Sequence, residues 1–128
     1  MKQEKQNRNM TLKKITIEDI EQFYLCEYRD GSRLSVNVWA TISNASLLIS
    51  GQDMGHYVKE RFHDDDYEYW YSFDAENTLL LITKLSEQNP EGTIKSVLAE
   101  NFSGLDGCSN LRSFCQKFDI KYNFSSHI

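Results

Sequence analysis

The stretch from residue 34 to residue 42 alternates apolar and polar side chains without a break, and it constrains the fold more than any other pattern. Such a period of two is typical of a β-strand with one buried face. Its intervening polar side chains require a sheet whose other side is at least partly open to water. The apolar positions are Leu34, Val36, Val38, Ala40 and Ile42.

Turn-forming residues on both sides of this strand predict hairpins to neighbouring strands. The Asp-Gly pair at 30–31 follows a segment rich in strand formers, residues 23–29, and is a strong hairpin signal. Residues 44–46, Asn-Ala-Ser, turn the chain towards a third strand over residues 47–50. Later alternating runs predict further strands over residues 66–73 and 120–124.

Helix signals dominate the second half of the chain. Asp74 is placed to cap a helix from Ala75 to about Leu85, and Thr93 to cap a second helix that ends near Phe102. A third helix is predicted over about 108–118 from an apolar stripe at helical spacing. A short helix is also expected over residues 56–62, after a loop between Gly51 and Gly55.

This order of elements, strands first and then mostly helices, predicts an α+β fold. We expect an antiparallel sheet of about four to five strands with helices packed on one face. The chain of 128 residues is long enough for one domain with its own core. We therefore predict a disordered basic lead over residues 1–14 and a single α+β domain over residues 15–128.

Charge is distributed unevenly along the chain. The net charge is −5, but residues 1–14 contain five basic residues and one acidic residue, so the remainder carries −9. A folded body this acidic repels nucleic acid and favours basic partners. The three cysteines are odd in number and lack a CxxC pair, and no secretory signal is recognised, so we expect a reducing, cytoplasmic location. The longest apolar run, residues 79–82, is far too short to span a membrane.

Residues 62–76 (FHDDDYEYWYSFDAE) combine six carboxylates with five large aromatics besides Phe62, and they contain no Lys or Arg. Aromatic side chains supply contact area at protein interfaces, and acidic side chains supply charge complementarity to a basic partner. The odd-numbered aromatics of this stretch are expected in the core, with Glu68 and Trp70 on the opposite face. An alternative interpretation is a solvated turn followed by a strand. The predicted partner-binding residues are Asp64, Asp65, Asp66, Glu68, Trp70, Asp74 and Glu76.

Three segments together resemble a group of small bacterial proteins of about 110–130 residues. The segments are SGQDMGHYVKE (50–60), DDDYEYWYSFDAENT (64–78) and FSGLDGCSNLRSFCQKFDIKYNFSS (102–126). The group is mostly uncharacterised and is loosely associated with immunity-type roles in bacterial conflict systems. The resemblance covers roughly residues 22–127 and implies one compact domain. It carries no catalytic residue.

Sites for metals, nucleophilic catalysis and phosphate are not indicated by the spacing of candidate residues. His56, His63 and the three aspartates that follow lack the spacing of an EF-hand or of a paired histidine motif. Cys108 and Cys115 fall on the apolar stripe of a predicted helix, where a cysteine is usually a small core residue. The turn at 103–107 has no lysine to hold a phosphate. We therefore predict no catalytic residue, no metal and no cofactor.

The sequence favours a small acidic inhibitor or immunity-type protein that occludes a basic partner, such as a nuclease or a toxin-like enzyme. It predicts neither direct nucleic-acid binding nor membrane binding. Three alternatives stay open. They are a phage-type antidefence inhibitor that mimics nucleic acid, a ligand-binding module or enzyme with a pocket between sheet and helices, and a homodimer formed through the open sheet face.

Overall fold

The computed structural model describes residues 15–128, which form a five-stranded antiparallel sheet and four helices. This confirms the α+β prediction, whereas the predicted disordered lead lies outside the described residues. The strands are β1 (Ile20–Asp30), β2 (Leu34–Ser43), β3 (Ser46–Met54), β4 (Asp66–Ser72) and β5 (Asn123–His127), and the helices are α1 (His56–Phe62), α2 (Ala75–Gln88), α3 (Ile94–Phe102) and α4 (Gly107–Phe118).

The strands lie in the sheet in the same order as in the chain, β1 to β5. The β2–β3 hairpin turns through Asn44 and Ala45, both with positive φ angles of 52° and 63°. Two such residues make the tight turn whose twist matches that of the flanking strands. The helix α1 lies between β3 and β4, and its first amides donate to the carbonyls of Ser32 and Arg33 in the β1–β2 turn.

The core lies between one face of the sheet and the three helices that follow β4. Of the alternating apolar residues of β2, the four from Val36 to Ile42 are buried, as the pattern predicts. Tyr69, Tyr71 and Phe73 are buried on the same face, which confirms the core prediction for these aromatics, and Tyr67 is partly buried beside them. Side chains from the helices complete the core, including Leu81, Ile82, Leu85, Val97, Leu98, Leu111 and Cys115.

The helix α2 is fixed to the sheet by hydrogen bonds at its first turn. The Asp74 carboxylate accepts from the Asn77 amide at 2.9 Å, which confirms the predicted cap. Thr78 is fully buried, accepts from the Leu47 amide at 2.9 Å and donates to the Phe73 carbonyl at 3.3 Å. One threonine therefore joins α2 to β3 and to the end of β4.

Two boundaries differ from the sequence prediction. The strand β3 does not end before Gly51 but continues to Met54, because Gly51 pairs with Val38 on one side and Tyr69 on the other. The last strand spans Asn123–His127 instead of 120–124. Ile120, which began the alternating pattern, is a buried core residue that follows the end of α4, so its hydrophobicity reflects packing against the core.

Candidate functional site

The face of the sheet that points away from α2, α3 and α4, here called the open face, carries both tryptophans of the chain. Residues paired directly across antiparallel strands share a face. The register therefore forms one row across all five strands, and its members are Tyr24, Trp39, Ser50, Trp70 and Ser125.

The aromatic side chains of this row make a partly exposed platform. The rings of Tyr24 and Trp39 meet edge to face with their centroids 6.1 Å apart, and Tyr24 is 48% exposed. Ser50 is only 5% exposed because a tryptophan stands on each side of it. Both tryptophans are partly exposed. Aromatic groups that are fixed by neighbours and still reach solvent are the residue types that act as anchors in protein interfaces.

Four of the predicted acidic residues lie together beside this platform. Alternation along β4 places Asp66 and Glu68 on the open face with Trp70. The Asp66 carboxylate accepts from the Gln52 side-chain amide at 3.2 Å, which fixes its position on the face. Asp64 accepts from the Asp66 amide at 3.3 Å, and Asp64 and Asp65 are exposed in the bend that precedes β4.

The other two predicted acidic residues lie elsewhere. Asp74 and Glu76 follow the opposite end of β4, and a strand of seven residues separates the two groups by about 20 Å. Asp74 caps α2, and the backbone hydrogen bond from Asn77 lowers the pKa of its carboxyl group. The structure therefore brings Asp64, Asp65, Asp66 and Glu68 together, and it sets Asp74 and Glu76 apart from them.

Within residues 15–128, none of the four clustered carboxylates makes an ion pair within 4.0 Å. The ion pairs among residues 15–128 are Lys84–Glu87 at 3.7 Å and Lys121–Asp119 at 2.7 Å. Both pairs lie outside β4 and the bend before it. The end of the sheet where β4 begins therefore carries four carboxylates beside the tryptophan row, with Arg29 and His56 near Asp65 in one surface pocket.

A second feature lies on the opposite, helix-covered face, where a cleft of about 280 Å³ opens between the sheet and α4. Its walls are mostly apolar and aromatic, and they include one carboxylate, Asp53 on β3, with one thiol and one guanidinium, Cys108 and Arg112 on α4. The sequence suggested a pocket between sheet and helices only as an alternative and identified none of its residues, because the lining comes from four strands, one loop and one helix. The other lining residues are Val36, Val38, Tyr67, Tyr69, Tyr71, Gly104, Leu105, Ser109 and Phe124.

Tyrosines of β4 hold the two charged groups of the cleft. The Tyr69 hydroxyl donates to the Asp53 carboxylate at 2.8 Å, and an Arg112 guanidinium nitrogen donates to the Tyr71 hydroxyl at 2.7 Å. Burial raises the pKa of the Asp53 carboxyl group, and the hydrogen bond from Tyr69 offsets part of that effect. Burial also raises the pKa of the Tyr69 hydroxyl.

Gly51 makes the Tyr69–Asp53 bond possible. A Cβ atom at this position would lie 2.0 Å from Cε2 of Tyr69, far inside van der Waals contact. The ring of Tyr69 therefore lies directly over the glycine and crosses β3, where its hydroxyl reaches Asp53 two residues further on. A glycine inside a strand often marks such a close approach.

The cysteines do not have the environment of nucleophiles. Burial raises the pKa of Cys108 to about 11 and that of Cys115 to about 12, so both are neutral thiols at physiological pH. A nucleophilic cysteine needs a depressed pKa and a base beside it. Within residues 15–128, no group of three or more His, Cys, Asp or Glu side chains is arranged to hold a metal ion. No helix in the same range is long and apolar enough to cross a membrane.

Comparison with known proteins gave no match, whether to a protein-family model, to a curated protein or to a solved structure. The function of this chain is therefore inferred from the chemistry of the open face and of the cleft.

Proposed function

We propose that this protein is a small acidic inhibitor of the immunity type, which docks a basic partner protein on the open face of its sheet. The observation that carries the proposal is the tryptophan row flanked by four clustered carboxylates. Asp64, Asp65, Asp66 and Glu68 would steer a cationic partner towards the face, because long-range attraction mainly raises the association rate. Trp39 and Trp70 would then slow dissociation as buried anchors.

The dimensions of the open face fit one side of a specific interface. Five strands spaced about 4.8 Å apart and on average about eight residues long give a flat area on the order of 600 Å², before side-chain relief is added. Standard interfaces bury about 800 Å² on each partner. The open face together with the bend at Asp64 and Asp65 is therefore large enough to bind one globular domain.

The partner that best fits this charge pattern is a nuclease or another enzyme with a cationic cleft for nucleic acid. Clustered carboxylates beside aromatic rings offer such a cleft the same kinds of contact as phosphates and bases do. An inhibitor with this surface would occupy the cleft and exclude the substrate. The three free cysteines fit a reducing compartment, so we place this activity in the cytoplasm.

The test compares two charge-matched double variants with the wild-type protein as baits in affinity capture from the lysate of the native host. Asp64→Lys/Asp65→Lys alters the acidic bend, and Asp66 is left unchanged because it is hydrogen-bonded to Gln52. Glu87→Lys/Glu91→Lys makes the same change in net charge in the last turn of α2 and in the turn that follows it, outside β4 and the acidic bend. A basic protein retained by the wild type and by the control, and lost by the first variant, is the expected result.

The captured protein is then purified, and its binding is followed by surface plasmon resonance at low and high salt. We expect the association rate to fall roughly tenfold or more in the acidic-bend variant at low salt, and to fall with added salt in the wild type. Inhibition of nucleic-acid cleavage by the captured protein would identify it as a nuclease. If both double variants associate at the wild-type rate, the acidic bend is a solvated turn and the proposal is wrong.

A further inference from the structure

The cleft between the sheet and α4 contains two opposite charges that are not paired with each other. Among residues 15–128 the ion pairs within 4.0 Å do not include one between Asp53 and Arg112. Each group is instead held by its own tyrosine of β4, Asp53 by Tyr69 and Arg112 by Tyr71. These tyrosines stand two residues apart on one face of the strand, with ring centroids separated by 6.4 Å.

This spacing keeps an anionic group and a cationic group on separate sides of one cavity. Arg112 is exposed and Asp53 is partly buried, and opposite charges at one cleft gain energy by pairing. Here the two tyrosines fix the side chains apart, so both charges face the cavity. A guanidinium has five N–H donors, and within the described residues Arg112 uses one of them, for the bond to Tyr71.

The rest of the cleft suits a compact organic molecule. Val36 and Val38 line it from β2, Tyr67 and Phe124 line it from β4 and β5, and Leu105 lies exposed beside it. Its volume of about 280 Å³ lies just below the usual range for drug-sized ligands, roughly 300–1,000 Å³. A mostly apolar cavity with a few convergent polar groups is the general form of a ligand site.

The polar groups of the cleft are positioned by rigid elements. Gly51 lets the Tyr69 ring lie across β3, which fixes the hydroxyl at Asp53. The loop before α4, which carries Leu105, is tied to β1 because the Gly104 amide donates to the Leu25 carbonyl at 3.0 Å. Preorganised groups of this kind reduce the entropy that a ligand loses on binding.

We propose that this cleft is a binding site for a small zwitterion of the amino-acid class. The ligand carboxylate would accept two hydrogen bonds from the free donors of Arg112, a geometry that guanidinium and carboxylate groups favour. The ligand ammonium group would donate to Asp53, and the ligand side chain would lie against the aromatic walls. Burial of Asp53 raises its pKa, which agrees with a carboxylate that lacks a cation until a ligand supplies one.

This proposal does not depend on the proposed docking function. Asp53 pairs with Tyr67 and Val36 on the helix-covered face of the sheet, whereas the tryptophan row lies on the opposite face. A ligand in the cleft would occupy a site separate from the docking surface. The purified full-length protein is sufficient for the test, so either proposal can fail while the other stands.

Isothermal titration calorimetry of the full chain tests the site, with each proteinogenic amino acid used in turn as the probe at millimolar concentration. We expect at least one to bind. For that amino acid, the matching carboxylic acid without the amine and the matching amine without the carboxylate should each bind at least about tenfold more weakly. If no amino acid binds, or if either analogue binds as well as the amino acid, the proposal is wrong.

Variants locate the binding in the cleft. Asp53→Asn and Arg112→Gln should each weaken binding by about tenfold or more, since each removes one charged hydrogen-bonding partner of the ligand. Asp119→Asn is the matched control, because Asp119 is exposed and pairs with Lys121 outside the cleft. Circular dichroism checks that each variant is folded.

Amide chemical-shift changes on the wild-type protein give a readout that does not depend on variant stability. They should centre on residues of the cleft, such as Val36, Tyr67 and Arg112. Shift changes confined to the open face, or unchanged affinity in both folded cleft variants, would overturn the proposed site.

Discussion

Replacement of Gly51 by alanine tests how the sheet and the cleft are built together. The added Cβ atom would lie 2.0 Å from Cε2 and 2.2 Å from Cζ of Tyr69. Carbon atoms pack at about 3.5–4.0 Å, so the tyrosine ring would have to move by nearly 2 Å. The ring is only 8% exposed and has the rings of Tyr67 and Tyr71 on either side, so it has little room for this displacement.

The expected destabilisation by Gly51→Ala follows from the hydrogen bond and the packing that the Tyr69 ring loses. Displacement breaks the hydrogen bond from Tyr69 to the Asp53 carboxylate, worth about 1.5–3 kcal/mol for a charged acceptor. Repacking around an overfilled position costs typically about 1–3 kcal/mol. Removal of a flexible glycine from a strand returns roughly 0.5–1 kcal/mol. The net loss in free energy of unfolding is therefore about 3 kcal/mol, which lowers the melting temperature by roughly 10 °C for a chain of this size.

A double-mutant cycle isolates the clash from other effects. Equilibrium unfolding in urea is measured for wild type, Gly51→Ala, Tyr69→Ala and the double variant. Once the ring is absent, the added methyl group meets open space, so Gly51→Ala should be neutral or stabilise by up to about 1 kcal/mol in the Tyr69→Ala background. The contact between ring and glycine would be refuted if Gly51→Ala lowered the free energy of unfolding equally with and without the Tyr69 ring. It would also be refuted if the Gly51→Ala single variant were as stable as wild type.

Four further outcomes are expected. Thr78→Val removes the buried acceptor of the Leu47 amide and should lower the free energy of unfolding in urea by about 1–3 kcal/mol. Thr78→Ser keeps a hydroxyl group and should lower it clearly less. Equal losses in the two variants would contradict the role of the hydroxyl group as acceptor. Burial raises the folded-state pKa of Asp53, so stability present at low pH is lost as pH rises through that pKa. Asp53→Asn should therefore melt higher than wild type at neutral pH, and this difference in melting temperature should vanish well below the ordinary aspartate pKa of about 3.9, where the wild-type carboxyl group is protonated in both states; the same difference in melting temperature at low and neutral pH would contradict the raised pKa of Asp53. With its pKa raised to about 11, Cys108 should react with iodoacetamide at neutral pH at least about tenfold more slowly in the folded than in the unfolded protein, as peptide mass mapping would measure. Trp70→Ala should raise the dissociation rate of the captured basic partner by roughly 10–100-fold, and an unchanged rate would move the interface away from the open face.

The local elements of this fold could be read from the sequence because each depends on short-range preferences. The alternation over residues 34–42 is the period of a strand, and the structure buries the side of β2 that the pattern assigned to the core. Asp74 begins α2 because its carboxylate can satisfy a free amide of the first turn, which is a property of a few neighbouring residues. The apolar stripe at helical spacing likewise identified α4.

The candidate sites could be predicted only in part. A run of acidic residues in the sequence became two groups in space, since the strand between them carries Asp74 and Glu76 to the far end of the sheet. The tryptophan row depends on the register of β2, β3 and β4, which places Trp39 and Trp70 on either side of Ser50. No local pattern specifies which residues face each other across three strands.

The sequence by itself determined the strand and helix types, the buried face of β2 and the caps of α2 and α3, because periodicity and capping act over a few residues. Only the tertiary structure decided that β3 continues past Gly51 and that a cleft forms beside it. The bonds that build the cleft join residues 16 and 41 positions apart, from Tyr69 to Asp53 and from Arg112 to Tyr71. Contacts at such separations depend on how the strands and α4 pack together, which local preferences do not specify.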